Sequence, residues 1–201
     1  KATSLGGLRP KCTVRDTDGH LAIGKFPSIG DRRSVTRGEV LALKLASLAG
    51  IDTAEARIEV LDGVPIAVIR RFDRAADGGR IPYLSGGSLL QARRNEDRAY
   101  TEIADALRAI GAEPTRDVRQ LWQRMLFNLL ITNTDDHLWN LALLHVSRGQ
   151  WRLAPAFDLK PFPERARESK TWLSEDTGPI TSLEMLLDHS EYFSLAQVEA
   201  Q

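Results

Sequence analysis

The sequence predicts an α+β fold of two lobes, a small β-rich one over residues 1–72 and a larger helical one over 73–201. Two hairpin signals in the first third, long amphipathic segments in the remainder, and a Gly-, Ala- and Asp-rich loop at 75–80 carry that prediction.

Residues 13–17 and 20–26 read as strands turning at Asp18-Gly19, where glycine supplies the positive φ of a tight hairpin. A helix is expected from Ser34 to Ala49, stopped by Gly50, with Leu41, Leu45 and Leu48 on its inner stripe and Glu39 near its start. Strands at 56–61 and 64–71 follow, joined across Asp62-Gly63, and end in Arg70-Arg71-Phe72-Asp73-Arg74. Beyond the loop, helices are expected at 99–110, closed by Gly111, and at 115–131. In the second, Val118, Leu121, Trp122, Met125, Leu126, Leu129 and Leu130 recur at helical spacing. A strand beginning Trp151-Arg-Leu-Ala-Pro delivers Asp158. Thr181-Ser-Leu-Glu184 and Ser194-Leu-Ala-Gln197 both read as helix-opening capping boxes.

Composition sets limits on function. With 27 basic and 27 acidic residues among 201, the chain has no net field to draw it to nucleic acid or an anionic membrane. The single cysteine, Cys12, excludes an internal disulfide framework and fits a reducing cytoplasm. It reads as a small hydrophobe in a strand, not a catalytic thiol. No apolar run of about 18 residues suggests a membrane span. The first residue is not Met and the last falls within an expected helical turn, so the sequence reads as a fragment.

The chemistry concentrates in Asn133-Thr-Asp-Asp-His-Leu-Trp-Asn140 and Asp158. Phosphoryl transfer needs a carboxylate to orient the attacking hydroxyl, plus an Asn and a second Asp to hold magnesium against the triphosphate. Asp135, Asn140 and Asp158 offer that set in order, and Asn140 follows Asp135 by five positions, the Asp-to-Asn step of a kinase catalytic loop. Asp, Asn and His are also ordinary turn residues. The core helix before them favours a site, because it anchors the cluster at a rigid end. Lys25 on a strand and Glu39 on the next helix stand in the order of the kinase Lys–Glu pair, although such residues are usually solvated surface charges. Ser4-Leu-Gly-Gly-Leu-Arg-Pro-Lys11 has the glycines and base of a phosphate-embracing loop, a pattern that simple mobile loops share.

Taken with Ile23-Gly-Lys-Phe-Pro27, Arg71-Phe-Asp-Arg74 and Leu153-Ala-Pro-Ala-Phe-Asp158-Leu-Lys-Pro161, these blocks resemble the HipA family of bacterial toxin kinases over nearly the whole chain. The resemblance implies a two-lobed protein-kinase-like fold and a serine/threonine kinase, the toxin of a type II toxin–antitoxin system that causes growth arrest and persistence. It makes Asp135 the catalytic base and Asn140 and Asp158 the Mg2+ ligands. Lys25, Glu39, Lys11 and His137 join the ATP site, and Arg71 and Phe72 lie at the adenine hinge. Ser4 matches the serine that family members autophosphorylate. Arg70 departs from members that carry an acid at that hinge position.

The resemblance also implies partners. These are a HipB-like helix-turn-helix antitoxin, operator DNA reached only through it, an aminoacyl-tRNA synthetase as substrate, and a separate N-terminal-type subunit in split systems. A kinase-like small-molecule phosphotransferase and a non-catalytic co-repressor scaffold remain as alternatives. Family kinases of the common type extend beyond this chain at both ends.

Overall fold

A computed structural model describes residues 9–93 and 96–196. Its first part is a four-stranded antiparallel sheet in the order β1-β2-β4-β3, made of β1 (Lys11–Arg15), β2 (Leu21–Lys25), β3 (Ala56–Leu61) and β4 (Val64–Arg70). The β3–β4 turn has φ of 50° at Asp62 and 79° at Gly63, the doubly positive backbone that matches strand twist in a tight hairpin. β1 starts earlier than the sequence suggests, so Lys11 is itself a strand residue, directly opposite Lys25. Cys12 is half-buried within β1.

Helix α1 (Val35–Leu48) packs on β3 and β4. The stripe it buries differs from the expected one. Thr36, Glu39, Val40, Leu43 and Ala46 face inward, while Leu41, Leu45 and Leu48 are 58 %, 46 % and 85 % exposed. The inward face has small residues, which allow close approach to the sheet, and an acid, Glu39, that pairs with Lys25. Hydrophobicity alone therefore selects the wrong face. The expected stripe of the later helix α4 (Pro114–Leu130) is buried at Val118, Leu121, Trp122, Met125 and Leu129, but Leu130 lies on the outer side at 56 % exposure.

Helix α3 (Tyr100–Ile110) opens with the Glu102 carboxylate accepting the Ala99 N–H at 2.8 Å. A second antiparallel sheet, order β5-β6-β7, comprises β5 (Tyr83–Ser85), β6 (Ala142–Ser147) and β7 (Gln150–Leu153). The short helix α2 (Gly86–Leu89) follows β5. β8 (Trp172–Ser174) and β9 (Gly178–Pro179) pair before α5 (Leu183–Asp188). The cap of α5 is Ser182, whose hydroxyl accepts from Met185 N–H, one residue beyond the expected Thr181 box. Ser194 starts no helix. At φ 63° it ends a 3-10 turn, and Gln197 of that expected box lies outside the described residues.

Three apolar clusters hold these elements among the described residues, the smallest being Ala142, Leu144 and Ala154 under Phe72, Ile81 and Phe157. The largest joins α3 and α4 with Leu143, Leu153, Leu173, Ile180, Leu186 and Phe193. The second packs Leu43 and Ala46 of α1 and Ile69 of β4 against Ala156 and Leu159. Main-chain bonds reinforce this junction, from Ala54 N–H to Ala156 O (2.9 Å) and from Ala156 N–H to Asp52 O (2.7 Å). The segment leading to Asp158 is therefore fixed to the first sheet's layer. No helix among the described residues is long and apolar enough to cross a membrane.

Candidate active site

The 133–140 loop hangs from the end of α4. Asn133 N–H donates to the Asn128 carbonyl at 2.8 Å, the Asn133 side-chain amide donates to Asn128 Oδ1 at 3.0 Å, and Asn133 Oδ1 accepts the Asp135 N–H at 3.3 Å. A 3-10 turn over Leu138–Asn140 closes the loop. Within it the Asn140 amide nitrogen donates to the Asp135 carbonyl at 2.8 Å. The two residues paired by sequence spacing are thus held together through the backbone of one and the side chain of the other.

Asp158 arrives differently from the expected strand. β7 ends at Leu153, and Asp158 adopts φ 57°, the left-handed region that short polar side chains tolerate and that concentrates at sites. Its Oδ1 lies 2.8 Å from Lys25 Nζ, which also donates to Glu39 Oε1 at 2.5 Å. Its Oδ2 lies 3.1 Å from Lys160 Nζ, which reaches Asp135 Oδ2 at 3.0 Å. Lys170 adds a second ammonium to Asp135. Glu39, Lys25, Asp158, Lys160, Asp135 and Lys170 form one ladder of alternating charge.

Electrostatics follow from that ladder. Burial works against the charged Asp158, but the Lys25 and Lys160 ammoniums hold its carboxyl well below the usual range. Burial likewise opposes ionisation of Asp135, and the lysines bonded to it, Lys170 and Lys160, keep its pKa low. Desolvation would depress Lys25 and Lys160, yet their carboxylate neighbours raise both. Glu39, only 2 % exposed, is pushed up by burial against the pull of Lys25. Lys11 is pushed down, first by burial and then by Lys25 across the strand pair.

The remaining candidates fall in two groups. His137 stands beside Asp135, its Nε2 3.9 Å from Asp135 Oδ1 and its ring edge-on to Trp139. Arg71 is engaged by Asp73, through Nε at 2.8 Å and a terminal nitrogen at 2.5 Å. Phe72 packs on Phe157, the residue before Asp158, with ring centres 5.4 Å apart, and on Tyr83 at 6.4 Å. Arg70 pairs with Asp18 and Glu55 on the surface. Ser4 lies outside the described residues.

Sequence reasoning missed four residues. Lys160 and Lys170 carry the ladder, and Asp136 is 6 % exposed, accepting from Tyr100 Oη at 2.9 Å and Lys170 N–H at 2.7 Å. A charged residue two positions after the Asp158 ligand candidate was a usable signal for Lys160. Nothing local marks Tyr100, which comes from a different helix.

The donor set fits magnesium held with a nucleotide. Among the described residues no group of three His, Cys, Asp or Glu side chains could hold a metal by itself. Asp158 offers a carboxylate, and the Asn140 amide, with its nitrogen committed to Asp135, offers its oxygen. Magnesium is commonly bound by one or two protein oxygens, with waters and substrate phosphates completing the shell.

This sheet-plus-helix arrangement, with a Lys–Glu pair facing a loop of Asp and Asn, is a kinase-like α+β fold. HipA of Shewanella oneidensis MR-1, solved with HipB and operator DNA, superposes with a TM-score of 0.79 at 16 % identity, covering 99 % of this chain and 54 % of that one. The Helicobacter pylori proinflammatory kinase CtkA superposes at 0.70 with 15 % identity, covering 91 % and 77 %. The HipA-like C-terminal domain model matches residues 3–198, and the chain belongs to that family. Two Sinorhizobium fredii proteins are similar, "Putative kinase Y4mE" at 27 % identity over 78 % of this chain and "Putative kinase Y4dM" at 30 % over 68 %. The chain spans only 41 % and 36 % of their lengths.

Proposed function

We propose that this chain is the catalytic part of a HipA-type serine/threonine-protein kinase, dividing at residue 72 into two lobes with ATP between them. The observation that carries the reading is the ladder from Glu39 through Lys25 and Asp158 to Asp135, because it joins the groups that bind phosphates to the group that would accept a proton. Lys25, steadied by Glu39, and Lys11 on the adjacent strand would bind the ATP phosphates. Arg71 and Phe72 would border the adenine, and His137 the phosphates. Asn140 and Asp158 would hold Mg2+, which supplies charge neutralisation on the triphosphate.

Asp135 orients the serine or threonine hydroxyl and accepts its proton. The hydroxyl oxygen bonds to the γ-phosphorus as the bond to the β–γ bridging oxygen breaks, and ADP leaves with that electron pair. Low proton affinity keeps Asp135 ionised and ready at neutral pH.

The toxin reading extends from this kinase. Ser4 is its autophosphorylation site, an aminoacyl-tRNA synthetase its cytoplasmic substrate, and growth arrest with persistence its outcome. A HipB-like antitoxin is its partner, supported by the HipB present with the Shewanella relative. Operator DNA is met through that antitoxin, in keeping with a formal net charge of zero. A separate N-terminal-type subunit would complete a split form.

Phosphopeptide mapping of the full protein after incubation with Mg-ATP, beside Asp135→Asn, tests the reading. Phosphate on Ser4 or on a synthetase in the parent alone supports it. Bound ATP with no transfer to any protein hydroxyl overturns it.

A further inference from the structure

The kinase D-F-G motif places glycine two residues after its metal-binding Asp. This chain places Lys160 there. Its side chain is 16 % exposed and touches both carboxylates that the reaction needs, Asp158 at 3.1 Å and Asp135 at 3.0 Å. The left-handed turn at Asp158 bends the chain, Leu159 is anchored in the apolar cluster beneath, and Pro161 lies next to Gly38 of α1. Lys160 is therefore fixed at its base while its ammonium reaches into the site.

We propose that Lys160 is a resident counter-cation of the phosphoryl-transfer site, bridging the base and the metal-binding carboxylate in the nucleotide-free protein and turning to the transferring phosphoryl group when a divalent cation takes Asp158. The inference rests on the kinase reading. An ammonium between two carboxylates relieves their mutual repulsion and occupies the space in which a divalent cation would meet Asp158. Lys25 has the buried Glu39 as a second partner that steadies it, whereas the second partner of Lys160 is Asp135 beside the transferring group, so Lys160 is the cation that can exchange. Once released from Asp158 it remains next to Asp135, at the place where negative charge gathers in the transition state, and such a fixed donor acts without giving up a proton.

Removing Lys160 therefore has two effects of opposite sign. In the nucleotide-free full protein, Lys160→Met should bind Mn2+ about tenfold more tightly by electron paramagnetic resonance titration, since a competing charge is gone. Its phosphotransfer kcat should fall about 100-fold with KM for ATP within threefold of the parent, and Lys160→Arg should restore part of the rate. Thermal melting of both variants establishes that each is folded, and Lys160→Arg, which keeps the charge, should bind Mn2+ like the parent. Mn2+ binding unchanged or weakened in folded Lys160→Met overturns the proposal, whatever the activity. Tighter Mn2+ with kcat unchanged overturns the phosphoryl-contact half. A parent without transfer activity, equal to Asp135→Asn, defeats the kinase reading instead and leaves the Mn2+ comparison to decide on Lys160.

Discussion

The side-chain amide of Asn140 is bonded to the backbone carbonyl of Asp135 at 2.8 Å, so the proposed metal ligand sets the conformation of the loop that presents the proposed base. The two roles are mechanically linked. Asn140→Asp keeps an oxygen for a cation but loses the donor, and places a second negative charge against that carbonyl. Steady-state kinetics should show kcat reduced about 100-fold or more, since misplacing a reacting group by about 1 Å can cost that much. A kcat within threefold of the parent would separate Asn140 from the positioning of Asp135.

Glu39 and Asp158 share Lys25, which makes the consequence of losing Glu39 specific. Removing one partner of a buried ion pair ordinarily costs about 3–5 kcal/mol because a charge is stranded. Here Asp158 still neutralises Lys25, so Glu39→Gln should cost roughly 1–2 kcal/mol in urea unfolding. Lys25 would then be drawn wholly to Asp158, and Mg-ATP affinity should weaken about tenfold by calorimetry. Unaltered nucleotide affinity would show that the pair is structural.

Gly86 gives the 3-10 turn carrying Asn140 its tight seat. A Cβ at Gly86 would lie 2.9 Å from the Leu138 carbonyl oxygen, which is backbone and cannot rotate away. Gly86→Ala should destabilise by about 1–3 kcal/mol, the usual cost of overpacking. Its kcat should also fall, because the turn that yields holds Asn140. Thermal melts and kinetics on one preparation test both effects, and a melt indistinguishable from the parent would disprove the steric argument.

The inner face of α1 shows where sequence patterning succeeds and where it fails. The order β1, β2, α1, β3, β4 was legible because Asp18-Gly19 and Asp62-Gly63 mark two hairpin turns, and α4 was legible because it repeats its apolar residues at helical spacing. Asp135, Asn140 and Asp158 stood out as candidates because phosphoryl transfer fixes both residue type and spacing, and Lys160 bridges Asp135 and Asp158 while Asn140 bonds the Asp135 carbonyl. The buried face of α1 was hidden, since the Lys25-paired Glu39 and small residues face inward while three leucines face out. Strands β5 and β6 escaped notice because their pairing joins residues far apart in the chain, such as Leu84 and Leu143. Tyr100 with Asp136 was hidden for the same reason. Leu43→Ala should cost about 2–5 kcal/mol as a buried truncation, and Leu41→Ala less than about 0.5. Equal losses in chemical denaturation would restore the outer stripe to the core.

Asp136 gives the fold a pH dependence of unusual sign. Burial raises its pKa to about 6 despite hydrogen bonds from the Lys170 backbone and Tyr100. A carboxyl whose pKa is higher folded than unfolded binds more protons in the native state. Its contribution is thus complete below about pH 4 and is lost as pH rises through about 6. The shift corresponds to about 3 kcal/mol. Asp135 and Asp158, with lowered pKa values, act the opposite way, stabilising above the unfolded carboxylate range and losing that stability as pH falls. Glu39 shares the sign of Asp136, so replacing Asp136 reduces the slope without abolishing it. Urea unfolding from pH 4 to 7.5 should show the parent losing more stability with rising pH than Asp136→Asn, by about 3 kcal/mol. Parallel curves would mean that Asp136 stays ionised in the folded protein and that its bonds to Tyr100 and Lys170 outweigh its burial.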